Sequence, residues 1–133
     1  MKKITVTITT TKEFSNEEIN DLVSTALEGG INYWCRKAVA TESKEDKKYV
    51  GVSDEDQSKI DFISDVISYG GSLTLYDAES SDKWVLNLEK LLKGIQKYCE
   101  HNNITPSNMM EDYDADTADI IVQYALFDEQ VFG

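Results

Sequence analysis

Glu28-Gly29-Gly30-Ile31-Asn32-Tyr33-Trp34-Cys35-Arg36 stands between two different hydrophobic periodicities. Before it, Ile19, Leu22, Val23, Ala26 and Leu27 recur at helical spacing and form one apolar stripe. After it, Ile31, Tyr33 and Cys35 alternate with Asn32, Trp34 and Arg36, and Val39 follows, so residues 31–41 read as a strand. The start of the helix is equally marked. Ser15 can cap it, Glu18 three residues on can close a capping box, and Phe14 and Ile19 stand where a hydrophobic staple would. A helix that stops at Leu27 and a strand that begins at Ile31 require a sharp bend. At least one of Gly29 and Gly30 is therefore expected to take positive φ as a left-handed cap.

Working outward, residues 3–10 place Ile4, Val6 and Ile8 in strict alternation with threonines, the pattern of a strand with one buried face. Residues 42–48 are a solvated charge run. Tyr49-Val50-Gly51-Val52 is either a short strand or the way into a second helix. That helix would be capped by Ser53, with Asp56 at its third position, and carried by Ile60, Ile63, Val66 and Ile67 to Gly70-Gly71. Leu73–Tyr76 and Trp84–Leu86 read as a hairpin. Asn87 caps a helix whose stripe is Leu88, Leu91, Leu92, Ile95, Tyr98 and Cys99, with Lys90, Lys93 and Lys97 on the solvated side. Gly94 inside that helix implies close packing. A loop from Asn102 to Tyr113 holds the only proline, Pro106, and a last helix runs from about Asp116 to Phe127. The expectation is a single α+β domain over 1–133, order βαβαββαα. A small, mainly antiparallel sheet of about four strands would pack with about four helices.

The 133 residues suffice for a core without staples, and 25 acids against 13 bases give a net charge of −12. Such a chain is repelled by nucleic acid and by anionic membrane surfaces, so neither is an expected direct partner. No run of about 18 apolar residues is present. The Thr-alternating start argues against a signal peptide and for the cytoplasm. Cys35 and Cys99 read as reduced core thiols.

Catalytic and metal chemistry find little footing. One histidine, His101, and no Cys-x-x-Cys leave zinc sites of the usual spacing without ligands. Asp112-Tyr113-Asp114-Ala115-Asp116 imitates half a calcium loop, but Thr117 and Gln123 stand where its Gly and Glu belong. These acids fit the cap and first turn of the last helix better. A nucleophilic cysteine would have only His101 as base, and neither glycine pair has the spacing of a phosphate loop. No cofactor and no catalytic residue are expected.

Two places could bind something. Glu28, Gly29, Gly30, Tyr33, Trp34 and Arg36 could line a concave site, with aromatic faces for a planar ligand and Arg36 for an anion. Against this, Trp34 and Tyr33 could simply close the core over the first helix. Residues 111–133 hold seven acids, Asp112, Asp114 and Asp116 among them, and no base, so they could present a row of negative charge.

The segment Thr25–Cys35, with Gly70–Asp77, Ile120–Phe127 and the closing Val131-Phe132-Gly133, resembles a family of small acidic proteins carried by bacteriophages and prophages of Gram-positive bacteria. The resemblance spans most of the chain outside 41–57. Asp128-Glu129-Gln130 is more charged than that pattern leads one to expect. It implies a phage setting and no mechanism. Two functions follow as expectations. The first is a non-enzymatic binding protein in the cytoplasm of the infected cell that occupies a basic surface of a host protein, as a host-defence antagonist. The second is a protein that binds or sequesters a small, nucleotide-like molecule in a pocket at the two glycine pairs.

Overall fold

The computed structural model describes residues 10–133, so the strand expected over 3–10 lies outside the described residues, save Thr10, which is not in a strand. Within them the chain is α+β, with four helices and a three-stranded antiparallel sheet. Helix α1, Asn16–Thr25, begins with the expected capping box. Ser15 Oγ accepts the Glu18 N–H at 3.1 Å and the Glu18 carboxylate accepts the Ser15 N–H at 3.1 Å. Ile19, Leu22 and Val23 are buried, as the stripe requires.

The helix does not end in a left-handed glycine. It widens into a π-helical turn over Ala26–Gly30, closed by the Ile31 N–H on the Ala26 carbonyl at 2.9 Å. Neither Gly29 nor Gly30 has positive φ; Gly51, Gly70 and Gly133 do. The expected left-handed cap is thus overturned, because the wider turn and a second, tighter one carry the chain around. In that second turn the Trp34 and Cys35 N–H groups both donate to the Ile31 carbonyl, at 3.0 and 2.8 Å. Strand β1 accordingly covers only Cys35–Ala40, and residues 31–34 are turn.

Strand β2, Ser72–Asp77, pairs with β1 on one side and with β3, Lys83–Asn87, on the other. The hairpin is as the sequence predicts. Ala38, Leu75 and Trp84 form one inward row, and Ala40, Leu73 and Leu86 the next. The outward rows are Lys37, Tyr76, Lys83 and Val39, Thr74, Val85. Arg36 is the extra residue of a bulge between Cys35 and Lys37.

The helix expected over 53–67 does not form. The chain makes two single 3₁₀ turns, Gln57–Lys59 and Ile63–Asp65, with Phe62 extended between them. Two side chains cause the break. The Asp65 carboxylate takes the Asp61 and Phe62 N–H groups, at 3.1 and 3.2 Å, which fixes a cap in mid-pattern. The Gln57 amide bonds both backbone groups of Tyr49 at 2.9 Å and so closes the loop after the isolated Glu42–Tyr49 bridge.

Helix α2, Leu88–Asn102, is capped by Asn87, whose Oδ1 accepts the Lys90 N–H at 2.9 Å. The segment from Asn102 to Tyr113 is not all loop as expected: it contains α3, Pro106–Glu111, with Thr105 as cap and the proline in its first turn. Helix α4, Ala115–Phe127, is capped by Asp114 and crosses α2 at Gly94. The core joins α1, α2 and α4 to the inward face of the sheet, where Leu22, Leu73, Leu75, Leu91 and Ile121 have no exposed surface.

Candidate functional site

The segment between the two periodicities is held by α4. Trp34 is buried, and its indole N–H donates to Asp119 Oδ1 at 2.7 Å. The Tyr33 hydroxyl donates to Asp119 Oδ2 at 2.6 Å, and Gln123, one turn further along α4, donates to Oδ1 at 2.9 Å. A buried carboxylate therefore gathers three donors, which is what makes its burial tolerable. Burial of the hydroxyl, with the Asp119 bond and charge and the nearby Asp116 charge adding to it, pushes the Tyr33 phenol up to about 12. The residue as a whole is 55% exposed, and its recorded hydrogen bonds are made by the hydroxyl at its tip.

Gln123 also turns the other way. Its Oε1 accepts the Val131 and Phe132 N–H groups at 2.8 and 2.7 Å. This lays Phe132 flat on Trp34, with centroids 4.9 Å apart and planes within 4°, while Trp84 and Phe127 meet the pair edge-on. Neither Asp119 nor Gln123 was expected at the centre of this arrangement. The available signal was an acid and an amide four residues apart on the apolar face of a helix.

Gly30 is buried against α4. A Cβ there would stand 2.8 Å from the Ala115 carbonyl oxygen, whereas one at Gly29 would meet Ala115 Cβ at an ordinary 3.8 Å. The second pair is filled likewise: a Cβ on Gly70 would lie 2.6 Å from the Gly51 carbonyl oxygen, and one on Gly71 3.1 Å from Val66. Both pairs thus face the chain's own atoms. Arg36 is not beside Trp34 either. Its Nε donates to the Asp77 carbonyl at 3.1 Å and its guanidinium lies 5.2 Å from the Tyr76 ring centre, on the outward face of the sheet. The concave aromatic-plus-arginine site is therefore not assembled: Trp34 is core, Tyr33 faces α4 and Arg36 faces outward.

Neither of two grooves on the described surface is lined by these residues. The larger, about 1220 Å³, runs between α1, α2 and α3, beside the first described residues. Both cysteines are free and buried, and burial raises their thiols above the ordinary range, the reverse of what a nucleophile needs. Among the described residues no group of three His, Cys, Asp or Glu is placed to hold a metal, and no helix is long and apolar enough to cross a membrane.

Of the expected acidic residues, the fold brings Asp116 near enough to Tyr33 for its charge to act on the phenol. The π-helical turn packs against α4, with a Cβ on Gly29 placed to meet Ala115 Cβ at 3.8 Å, so Glu28 in that turn and Asp114 and Asp116 at the start of α4 are next in sequence to the facing positions, with Asp112 just before them. All four carboxylates are exposed, and among the described residues none forms an ion pair. Asp114 caps α4 through the Thr117 N–H at 2.9 Å, a bond that holds its carboxyl below the usual range. Asp119 does not belong to this surface, since it is buried under Tyr33. Comparison with protein-family models, curated proteins and solved structures finds no match.

Proposed function

We propose that this chain is a phage-encoded, non-enzymatic binding protein that sets its acidic α1–α4 corner on a basic surface of a host protein, acting in the infected cell's cytoplasm as an antagonist of host defence. The observation that carries the reading is the exposed residue Tyr33, held by α4 within reach of the Asp116 charge, on a chain whose Glu28, Asp112, Asp114 and Asp116 carboxylates are exposed and form no ion pair among the described residues. A rigid aromatic with a fixed tip is an interface anchor of low entropic cost, and the exposed charges select a basic partner. Asp119 fixes that tip from below, so the ring is presented in one orientation. The net charge of −12 favours encounter with a basic surface at long range.

The test is capture from a Gram-positive host lysate at low and high salt, with wild type beside a Asp112→Asn/Asp114→Asn/Asp116→Asn variant. Asn retains the cap at position 114, so folding is kept. A partner released by salt and lost in the variant supports the reading. A partner held equally by both, or none captured by wild type, overturns it.

A further inference from the structure

The outward face of the sheet has the opposite charge character to the rest of the molecule. In a chain with 25 acids, its row Lys37, Tyr76, Lys83 carries two lysines flanking one ring, and the bulge adds Arg36 beside them. Lys37 Nζ and the Arg36 guanidinium lie 4.6 and 5.2 Å from the Tyr76 ring centre. Among the described residues none of these three cations forms an ion pair, although five other lysines do. Like charges gathered on one sheet face weaken the fold, and no acid stands in either outward row to offset them. The next row is apolar at both edges: Val39 is 44% and Val85 43% exposed. Among the described residues the helices pack with the core on the other side of the sheet.

We propose that this face is a second docking surface, one that takes an acidic protein segment bearing apolar side chains. Carboxylates of the segment meet Arg36, Lys37 and Lys83, and its apolar residues lie on Val39 and Val85. Charge complementarity identifies the occupant. Single-stranded nucleic acid is the poorer fit: the Tyr76 ring is already attended by two cations instead of standing free as a stacking platform, and Val39 and Val85 offer apolar side chains a seat. None of its residues is among the acids of the proposed basic-partner site, so the chain would carry one surface for a basic partner and another for an acidic one.

The probe is a fluorescein-labelled synthetic peptide alternating Glu and Leu, with binding read by anisotropy at low and high salt. Wild type is expected to bind with an affinity that falls with salt. The exposed charge reversal Lys37→Glu/Lys83→Glu should weaken it at least about tenfold, and the Asp112→Asn/Asp114→Asn/Asp116→Asn variant should leave it no weaker. Should the reversal fail to fold by thermal unfolding, Lys37→Gln/Lys83→Gln serves with the same expected direction. Equal binding by wild type and a folded variant overturns the proposal. So does tighter binding of oligothymidylate than of the peptide. So does a dimer in sedimentation that the same substitutions abolish, which would make the face a contact between copies of this chain.

Discussion

Asp119 accepts the Trp34 indole N–H at 2.7 Å inside the core, and this bond ties the turn after α1 to the middle of α4. Replacing Asp119 by Ala removes the acceptor of three donors: buried Trp34 Nε1 is left without a partner, buried Gln123 Nε2 keeps only its longer 3.3 Å bonds to the Tyr33 hydroxyl and the Phe132 carbonyl, and the Tyr33 hydroxyl loses its 2.6 Å bond. Leaving such groups unmet costs more than the bond itself contributes. A loss of about 3 kcal/mol is expected. Urea unfolding followed by tryptophan emission measures it directly, and an Asp119→Ala variant with the wild-type midpoint would refute the role given to this carboxylate.

Burial of the Tyr33 hydroxyl, with the Asp119 bond and charge added to it, sets a pH dependence at this residue. The phenol ionises near its ordinary 10 when unfolded and at about 12 when folded. Its proton is therefore held more tightly in the folded chain. The stabilisation is complete below pH 10 and is lost as pH rises through about 12, since between these values the unfolded state binds fewer protons. Other tyrosines titrate in the same range, so the reading is the difference between wild type and Tyr33→Phe. That difference should be flat from neutral pH to about 10 and shrink above it. A difference that grows with pH would have the wrong sign.

How much of this was readable in the sequence depends on the distance of the deciding partner. Local devices were read correctly: the Ser15–Glu18 box, the Asn87 cap and the hairpin all involve residues close in the chain. The segment 53–67 misled because its apolar spacing is helical, while Asp65 captures two N–H groups and holds Phe62 extended. Thr105-Pro106 was a visible helix start, passed over because the helix behind it is so short. The aromatic site was misassigned for a tertiary reason. Nothing near Trp34 announces Asp119 or Phe132, so a core tryptophan and a ligand-binding one look alike.

The two adjacent glycines should now behave differently. Gly30→Ala drives a Cβ to within 2.8 Å of the Ala115 carbonyl oxygen, a backbone atom that cannot swing away. A loss of about 1–3 kcal/mol is expected. Gly29→Ala meets only Ala115 Cβ at 3.8 Å, so its effect should stay within about 0.5 kcal/mol. Gly94→Ala repeats the test at the α2–α4 crossing, where the new Cβ would lie 2.5 Å from the Ile121 carbonyl oxygen. There the gain of about 1 kcal/mol in helix propensity is outweighed by the clash. Equal midpoints for the Gly29 and Gly30 variants would show that close approach is not why Gly30 is glycine.

Phe132 closes the tryptophan cluster from outside the helices, and its hold on the fold can be separated into two parts. Its backbone is fixed by Gln123, which takes the Val131 and Phe132 N–H groups, and its ring is stacked on Trp34 at 4.9 Å. Phe132→Ala removes the ring and leaves the backbone bonds. Truncating a half-buried Phe costs less than the 3–5 kcal/mol of a fully buried one, so about 2 kcal/mol is expected. Phe132→Leu retains apolar volume and loses only the stacked geometry, for which about 0.5–1.5 kcal/mol is appropriate. Both substitutions uncover Trp34, the first more than the second, so emission of the folded protein should shift to the red in that order. Stability and emission must move together if the ring acts by covering Trp34. A red shift without loss of stability, or a stability loss with unchanged emission, would mean that the segment 131–133 is held by Gln123 alone and that the stack is incidental.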